Sequence, residues 1–485
     1  MDFLTTLNDG LWNPLVVFAL GFGALLTILT RGVQLRRIPD MIRLIVRGSG
    51  SESGISSFQA LALTLSSRVG VGNIAGVPTA IALGGPGALF WMAAMALLGG
   101  ATAFIESTLA QIYKTEARGS YWGGIPYYIE KGLRKRWLAV IAATTAITLY
   151  AVLAPGVQSN NIAAGFDTAM GVPTWLTGSI VVGVLGFVIL GGRSRIVAVT
   201  EKVVPFMAAG YIVAALVVIA AHASEVPGVL RLVLASAFGI DSVFGGIVGA
   251  AVAWGVRRAL FSNVAGIGEG TYGSAAAEVS HPAKQGLVQS FSIYIDTLFV
   301  CMATGLMVLV SGTYNVETDD GQRLATNIEG VPAGPAYAQA AVDSVWSGVG
   351  PYFVAIALAL FAFTTLVAFA FISETNLTFL TRGKPQPRLV LGMRLVLLAM
   401  TFYGAVEAAD LVWAIGDVGY AALGWVNMVC LLFLAKPALL ALRDYDRQRK
   451  AGLDPEFDPG PLGIANAEYW VGRARERAAA EQKQP

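Results

Sequence analysis

Two stretches of the sequence place glycine, serine and asparagine where long apolar runs would otherwise continue: Ser66 to Gly76 (SSRVGVGNIAG) and Leu260 to Gly273 (LFSNVAGIGEGTYG). Glycine at this density unwinds a helix, and unwound backbone in an apolar setting leaves N–H and C=O groups that need other partners. Free N–H groups at the start of a half-helix suit a carboxylate, and free carbonyls at the end of one suit a small hard cation. A pair of such breaks has the chemistry to hold a carboxylate and Na⁺ together. Close helix packing would explain one glycine cluster by itself; two at matching places favour a site.

Other polar residues lie within apolar runs. Gln158, in Pro155 to Ala163 (PGVQSNNIA), can bond a carboxylate or a broken backbone, or simply join two helices. Thr364 and Thr365, in Phe361 to Ala370 (FAFTTLVAFA), offer oxygens to a hard cation, or bond back to their own helix. Glu106, Glu269 and Asp296, with Arg68, Arg257 and Arg258, are charges at depth, which are costly and so point either to structural pairing or to function. A structural role is expected for Glu106 and Asp296, while Glu269 or Asp296 leaves proton coupling open. Cys301 and Cys430 lie far apart and outside any Cys-x-x-Cys pair, which reads as two buried small hydrophobes. No Ser/His/Asp set, metal-ligand cluster or phosphate loop stands out, so an enzyme is not indicated.

The elements that must carry these residues follow from composition. Of 485 residues, 55% are hydrophobic and 13% charged, too little charge to coat a soluble surface of this size. Apolar stretches of about 20 residues recur, each long enough to cross a bilayer. They fall near 13–31, 57–82, 87–112, 138–162, 174–191, 203–221, 243–272, 286–311, 350–374, 389–405 and 411–434, about eleven spans. The fold class expected is an all-α polytopic membrane protein. The two breaks lie in spans two and seven, the spacing of two inverted five-helix repeats after one extra helix. The divisions are then 1–56, 57–221, 222–436 and a polar tail, 437–485, read as an extension without a core.

Basic residues gather on one side of alternating spans: Arg31, Arg36, Arg37, Arg43 and Arg47 in the first loop, Lys114, Arg118, Lys131, Arg134, Lys135 and Arg136 in the next, then the tail from Lys436. The other side has Arg231 and Arg323 beside Glu317, Asp319, Asp320 and Glu329. The positive-inside rule then puts the N-terminus outside and the C-terminus in the cytoplasm of a bacterial inner membrane. The net charge of +2 with no basic stripe argues against nucleic acid, and nothing implies an obligate protein partner beyond the lipid bilayer. In the long external connection, 312–350, a short helix around Pro335 to Val345 is expected as a lid.

At these residues the sequence resembles the alanine or glycine:cation symporters, also called sodium:alanine symporters. The matching stretches are VGVGNIAGVPTAIALGGPGALFWM from Val69, GVQSNNIA from Gly156, RALFSNVAGIG from Arg258, EVSHPAKQGLVQSFSIYIDTLFV from Glu278 and FAFTTLVAFAFISETN from Phe361. The resemblance implies a leucine-transporter-like fold and Na⁺-coupled uptake of small neutral amino acids, chiefly alanine and glycine. It implies substrate contacts at Gly70, Gly72, Asn73, Gln158, Phe261 and Ser262, and a sodium position using carbonyls near Ser66 and Val69 with the hydroxyls of Thr364 and Thr365. The chain departs from the family pattern at Val71, Val264 and Glu269, where the family usually has Thr, Glu and a small or amide residue. Those departures bear on substrate size, coupling ion and proton sensitivity. The alternatives are a proton-coupled amino-acid transporter and a non-transporting membrane sensor of the same fold.

Overall fold

The structure is a computed structural model that describes residues 2–46, 54–117, 119–318, 321–384 and 386–481. Arg47, Arg118, Asp319 and Asp320, which the charge reading uses, lie outside the described residues. Among the described residues eight helices are long and apolar enough to cross a membrane, and nine if the bent pair Ser57–Arg68 and Gly72–Gly84 is one span. Two of the eleven expected spans fall short of that length: one is the 17-residue helix Thr174–Leu190, and the other is interrupted after Val248–Asn263. Phe187, Phe206, Val213, Leu395 and Phe433 face outward from the bundle, as lipid contact requires and a water-exposed surface would not favour.

Local chemistry sets the first broken span. A capping box starts it: the Ser56 hydroxyl accepts from the Gln59 N–H at 3.1 Å, and the Gln59 side chain accepts from the Ser56 N–H at 3.0 Å. The α-helix stops at Arg68, because Val69 leaves helical geometry with ψ 86°. The chain resumes as a π-helix, Gly72–Gly76, and then as Val77–Gly84, bent by 48° from its first half.

The second break is made by left-handed residues. Val264 ends Val248–Asn263 with φ 48°, and Gly266 and Gly268 follow at φ 87° and 91° before Gly270–Ala276 begins. Glycine takes that geometry freely, whereas a β-branched valine stores roughly 1–3 kcal/mol of strain there. Two further π-helical stretches, Thr148–Leu153 and Tyr294–Cys301, interrupt the long spans Arg136–Met170 and Pro282–Val310.

Short hairpins pair Thr115–Ala117 with Ser120–Trp122 and Asn315–Glu317 with Arg323–Thr326. The helix expected in the long connection forms as Pro335–Asp343. The tail corrects the sequence reading, because it folds onto the body. The last span runs on as Ala409–Lys450, and beyond it Phe457, Ile464, Ala467 and Trp470 are buried. These apolar residues sit at irregular intervals, partly in a non-helical segment, so neither the 3.6-residue nor the 2-residue period reveals them. The tail also binds by polar contacts: Trp470 Nε1 donates to the Gln111 carbonyl at 2.8 Å, Phe457 N–H to Ser280 at 3.0 Å, and Arg473 to Val279 at 2.9 Å. Under it lies the buried Lys114, 4.1 Å from the Tyr121 ring and 4.5 Å from the Tyr469 ring; burial lowers its ammonium well below the ordinary lysine value.

Candidate functional site

The two breaks meet inside the bundle. A Cβ added to Gly72 would lie 3.0 Å from Ser262 Cα and 3.3 Å from the Phe261 ring, so only glycine lets the first break press this closely on the second. Asn73 folds back to accept the Gly70 N–H at 2.8 Å and donates its amide to the Asp296 carboxylate at 2.7 Å. From the second break, the Ser262 hydroxyl lies 3.0 and 3.1 Å from the two oxygens of that carboxylate. Thr297 donates to it at 2.7 Å. Asp296 thus joins both breaks, with Cys301 Sγ beside them at 3.2 Å from Asn73 and 3.3 Å from Ser262.

Gln158 comes from the side. Its Oε1 accepts the Val71 N–H at 3.4 Å, which places an amide against the unwound backbone, as expected from its type. Phe261 packs at a tilt against Tyr420 and Trp413, ring centroids 4.7 and 5.0 Å away, and is 4% exposed, so it shields the meeting point from one side.

The residues expected to hold a cation separate into two groups. The Thr365 hydroxyl lies 3.0 Å from the Ser66 carbonyl at the end of the first half-helix, and Val69 occupies the bend one turn on. Thr364 stands apart: its hydroxyl donates to the Phe361 carbonyl at 2.9 Å and lies 3.6 Å from the Met207 thioether sulfur, Sδ. Both hydroxyls bond the Phe361 carbonyl, but of the two only Thr365 also reaches the first break.

Arg257 and Arg258 are also settled. Both reach Asp417, at 2.7 and 3.3 Å, and Arg258 lies 4.5 Å from the Trp413 ring. Asp417, Trp413, Tyr420 and Thr297 were not singled out from the sequence, and Cys301 was read only as an apolar filler. Thr297 also meets Asn263, 34 residues away, and Cys301 meets Asn73, 228 residues away, contacts that no local pattern announces. The signal available was Asp296 itself, a charge at depth. Asp417→Asn removes the charge that two buried guanidinium groups share, and is expected to cost about 1–3 kcal/mol, read as a lower melting temperature in detergent.

The sodium:alanine symporter family profile matches residues 1–459. This chain belongs to the sodium:alanine symporter family. A putative sodium/proton-dependent alanine carrier protein of Bacillus subtilis, YrbD, is 54% identical over 97% of both chains. A sodium/proton-dependent alanine carrier of Bacillus sp. (strain PS3) is 48% identical over 89% of this chain and 97% of its own. A probable sodium/glutamine symporter of Bacillus subtilis, GlnT, is 40% identical over 93% of this chain and 91% of its own. As a sodium:alanine symporter family member, the chain is a multi-pass membrane transporter of the alanine:cation symport type and not an enzyme.

Proposed function

We propose that the protein couples inward Na⁺ movement to uptake of alanine and glycine across a bacterial inner membrane, with its N-terminus outside and its C-terminus in the cytoplasm. The observation that carries this reading is the meeting of two unwound segments in one buried polar cluster. The substrate carboxylate meets N–H groups of Gly70 to Asn73 together with Gln158, where backbone lacks helix partners. Phe261 and Ser262 bound the pocket from the second break, and Gly72 keeps it small. Na⁺ sits at the end of the first half-helix on the carbonyls of Ser66 and Val69 and the Thr365 hydroxyl, oxygen ligands that a hard cation prefers. Thr364 is left out of this set because its hydroxyl faces Met207.

The test is uptake of labelled alanine and glycine into proteoliposomes under an inward Na⁺ gradient, with Li⁺ and K⁺ as controls. Gln158→Ala and Asn73→Ala are expected to reduce Na⁺-driven uptake about ten- to a hundredfold, the loss of one hydrogen bond to a charged group. Undiminished uptake in both variants would remove the proposed substrate position.

A further inference from the structure

Three carboxylates are sealed in the interior beside the breaks: Glu106 and Asp296 are fully buried and Glu269 is 1% exposed. Among the described residues none of them has a cationic nitrogen within 4 Å, since Arg257 and Arg258 are taken by Asp417. The positive charge that all three face is Arg68. Three negative charges against one positive is not a tolerable balance in a low-dielectric interior. On the reading above, Na⁺ at Ser66 and Thr365 offsets a second charge. A third remains.

The hydrogen bonds say which acid takes it. Asp296 accepts from Asn73, Ser262 and Thr297, the full support an ionised carboxylate wants. Glu106 accepts from the Gly266 N–H and the Asn427 amide, both at 3.2 Å, and those groups can only donate. Glu269 differs. Its Oε2 meets the Tyr150 hydroxyl at 3.3 Å, a group able to donate or to accept, while its Oε1, like that of Glu106, has no partner. The Ser67 hydroxyl also faces it and already donates to the Thr64 carbonyl at 2.9 Å, which leaves the serine oxygen free to accept. Hydroxyls turn to serve either a carboxylate or a carboxylic acid. The other groups facing Glu269 are Arg68 on the first break, Tyr272 on its own half-helix, Tyr420 on the last span and Asp296. Arg68 Nε and Nη2 are likewise unpartnered, and Nη2 lies 2.7 Å from where a Cβ of Gly270 would be, against the residue next to Glu269.

We infer that Glu269 is a proton-binding site of the transport cycle, distinct from the Na⁺ position, and that a proton enters with each substrate. The inference rests on the Na⁺-coupled reading for its charge balance. The step is carboxylate plus proton to carboxylic acid when the site faces outward, and the reverse when it faces inward. With the proton bound, the acid is neutral and links the second break to the first through Ser67 and to the span Arg136–Met170 through Tyr150.

The experiment uses proteoliposomes loaded with a pH-sensitive dye, with alanine added outside under an inward Na⁺ gradient. The wild type acidifies its lumen as alanine enters. Glu269→Gln, which keeps shape and polarity, retains Na⁺-driven alanine uptake while alanine-driven acidification falls at least about tenfold, because an amide cannot take up the proton. Equal acidification by the variant overturns the assignment. So does a wild type that accumulates alanine on Na⁺ without any acidification, a result that needs no variant to fold. Absence of uptake with every cation would instead overturn the Na⁺-coupled reading itself, and this inference with it.

Discussion

Asp296→Ala is expected to abolish alanine uptake, lowering it more than about a hundredfold, and to destabilise the protein by roughly 2–4 kcal/mol. The carboxylate accepts from the first break through Asn73 and from the second through Ser262, and it also takes the Thr297 hydroxyl. Removing it leaves three buried donors competing for what remains. The two hydroxyls can turn to other acceptors, which keeps the stability cost below the sum of three unpaired groups, but the Asn73 amide loses its strongest partner. The two unwound segments then lose the side chain that joins them. Asp296→Asn, which keeps one acceptor oxygen, should fold and transport at an intermediate rate. Uptake normalised to reconstituted protein, with a thermal melt of the same preparation, checks both effects. Wild-type uptake by the alanine variant would show that the breaks hold their places without the acid.

Gly70→Ala is expected to have the second large effect, through the Na⁺ position. A Cβ at Gly70 would lie 2.5 Å from the Thr365 hydroxyl and 3.3 Å from Gln158 Oε1. Thr365 is a short, branched side chain on the helix Gly350–Leu380 and cannot swing far. The added methyl therefore pushes the first break off that helix, at a cost of about 1–3 kcal/mol, and separates the hydroxyl from the Ser66 carbonyl. The concentration of Na⁺ needed for half-maximal uptake should rise at least about tenfold, the effect of losing one good ligand contact. Adding Thr365→Ala relieves the clash, so the double variant should recover melting temperature but not Na⁺ dependence. An unchanged Na⁺ dependence in Gly70→Ala would mean that this contact does not hold the ion.

The parts of the molecule that the sequence disclosed are those fixed by local physics. Both breaks were legible because Gly70, Gly72, Gly266 and Gly268 cluster with polar residues inside otherwise apolar runs, a combination that weakens a helix, and do so at two matching places. The spans were legible because bilayer thickness sets a length, although the criterion blurs where a span is short, as at Thr174–Leu190, or interrupted, as after Asn263. Long-range facts were not legible. Asp417, which balances both Arg257 and Arg258, is 160 and 159 residues away from them. The choice between Thr364 and Thr365 depends on which way one helix is turned, and that is decided by packing against Met207 and Ser66. The tail was misread because burial of Trp470 and Phe457 needs a surface supplied by Gln111, Ser280 and their neighbours.

The π-helical stretches Gly72–Gly76, Thr148–Leu153 and Tyr294–Cys301 carry a surplus of chain relative to an α-helix. The first holds Asn73, the second Tyr150 and the third Asp296, so each supplies one polar group to the centre of the bundle. Surplus of this kind makes a span tolerant of shortening. Losing one residue from Tyr294–Cys301 would let the coil tighten to 3.6 residues per turn with its flanks still in phase. The chain would still thread the bilayer, yet Asp296 would turn by about 100° and leave Asn73 behind. A one-residue deletion here would thus be silent to the architecture and decisive for the cargo.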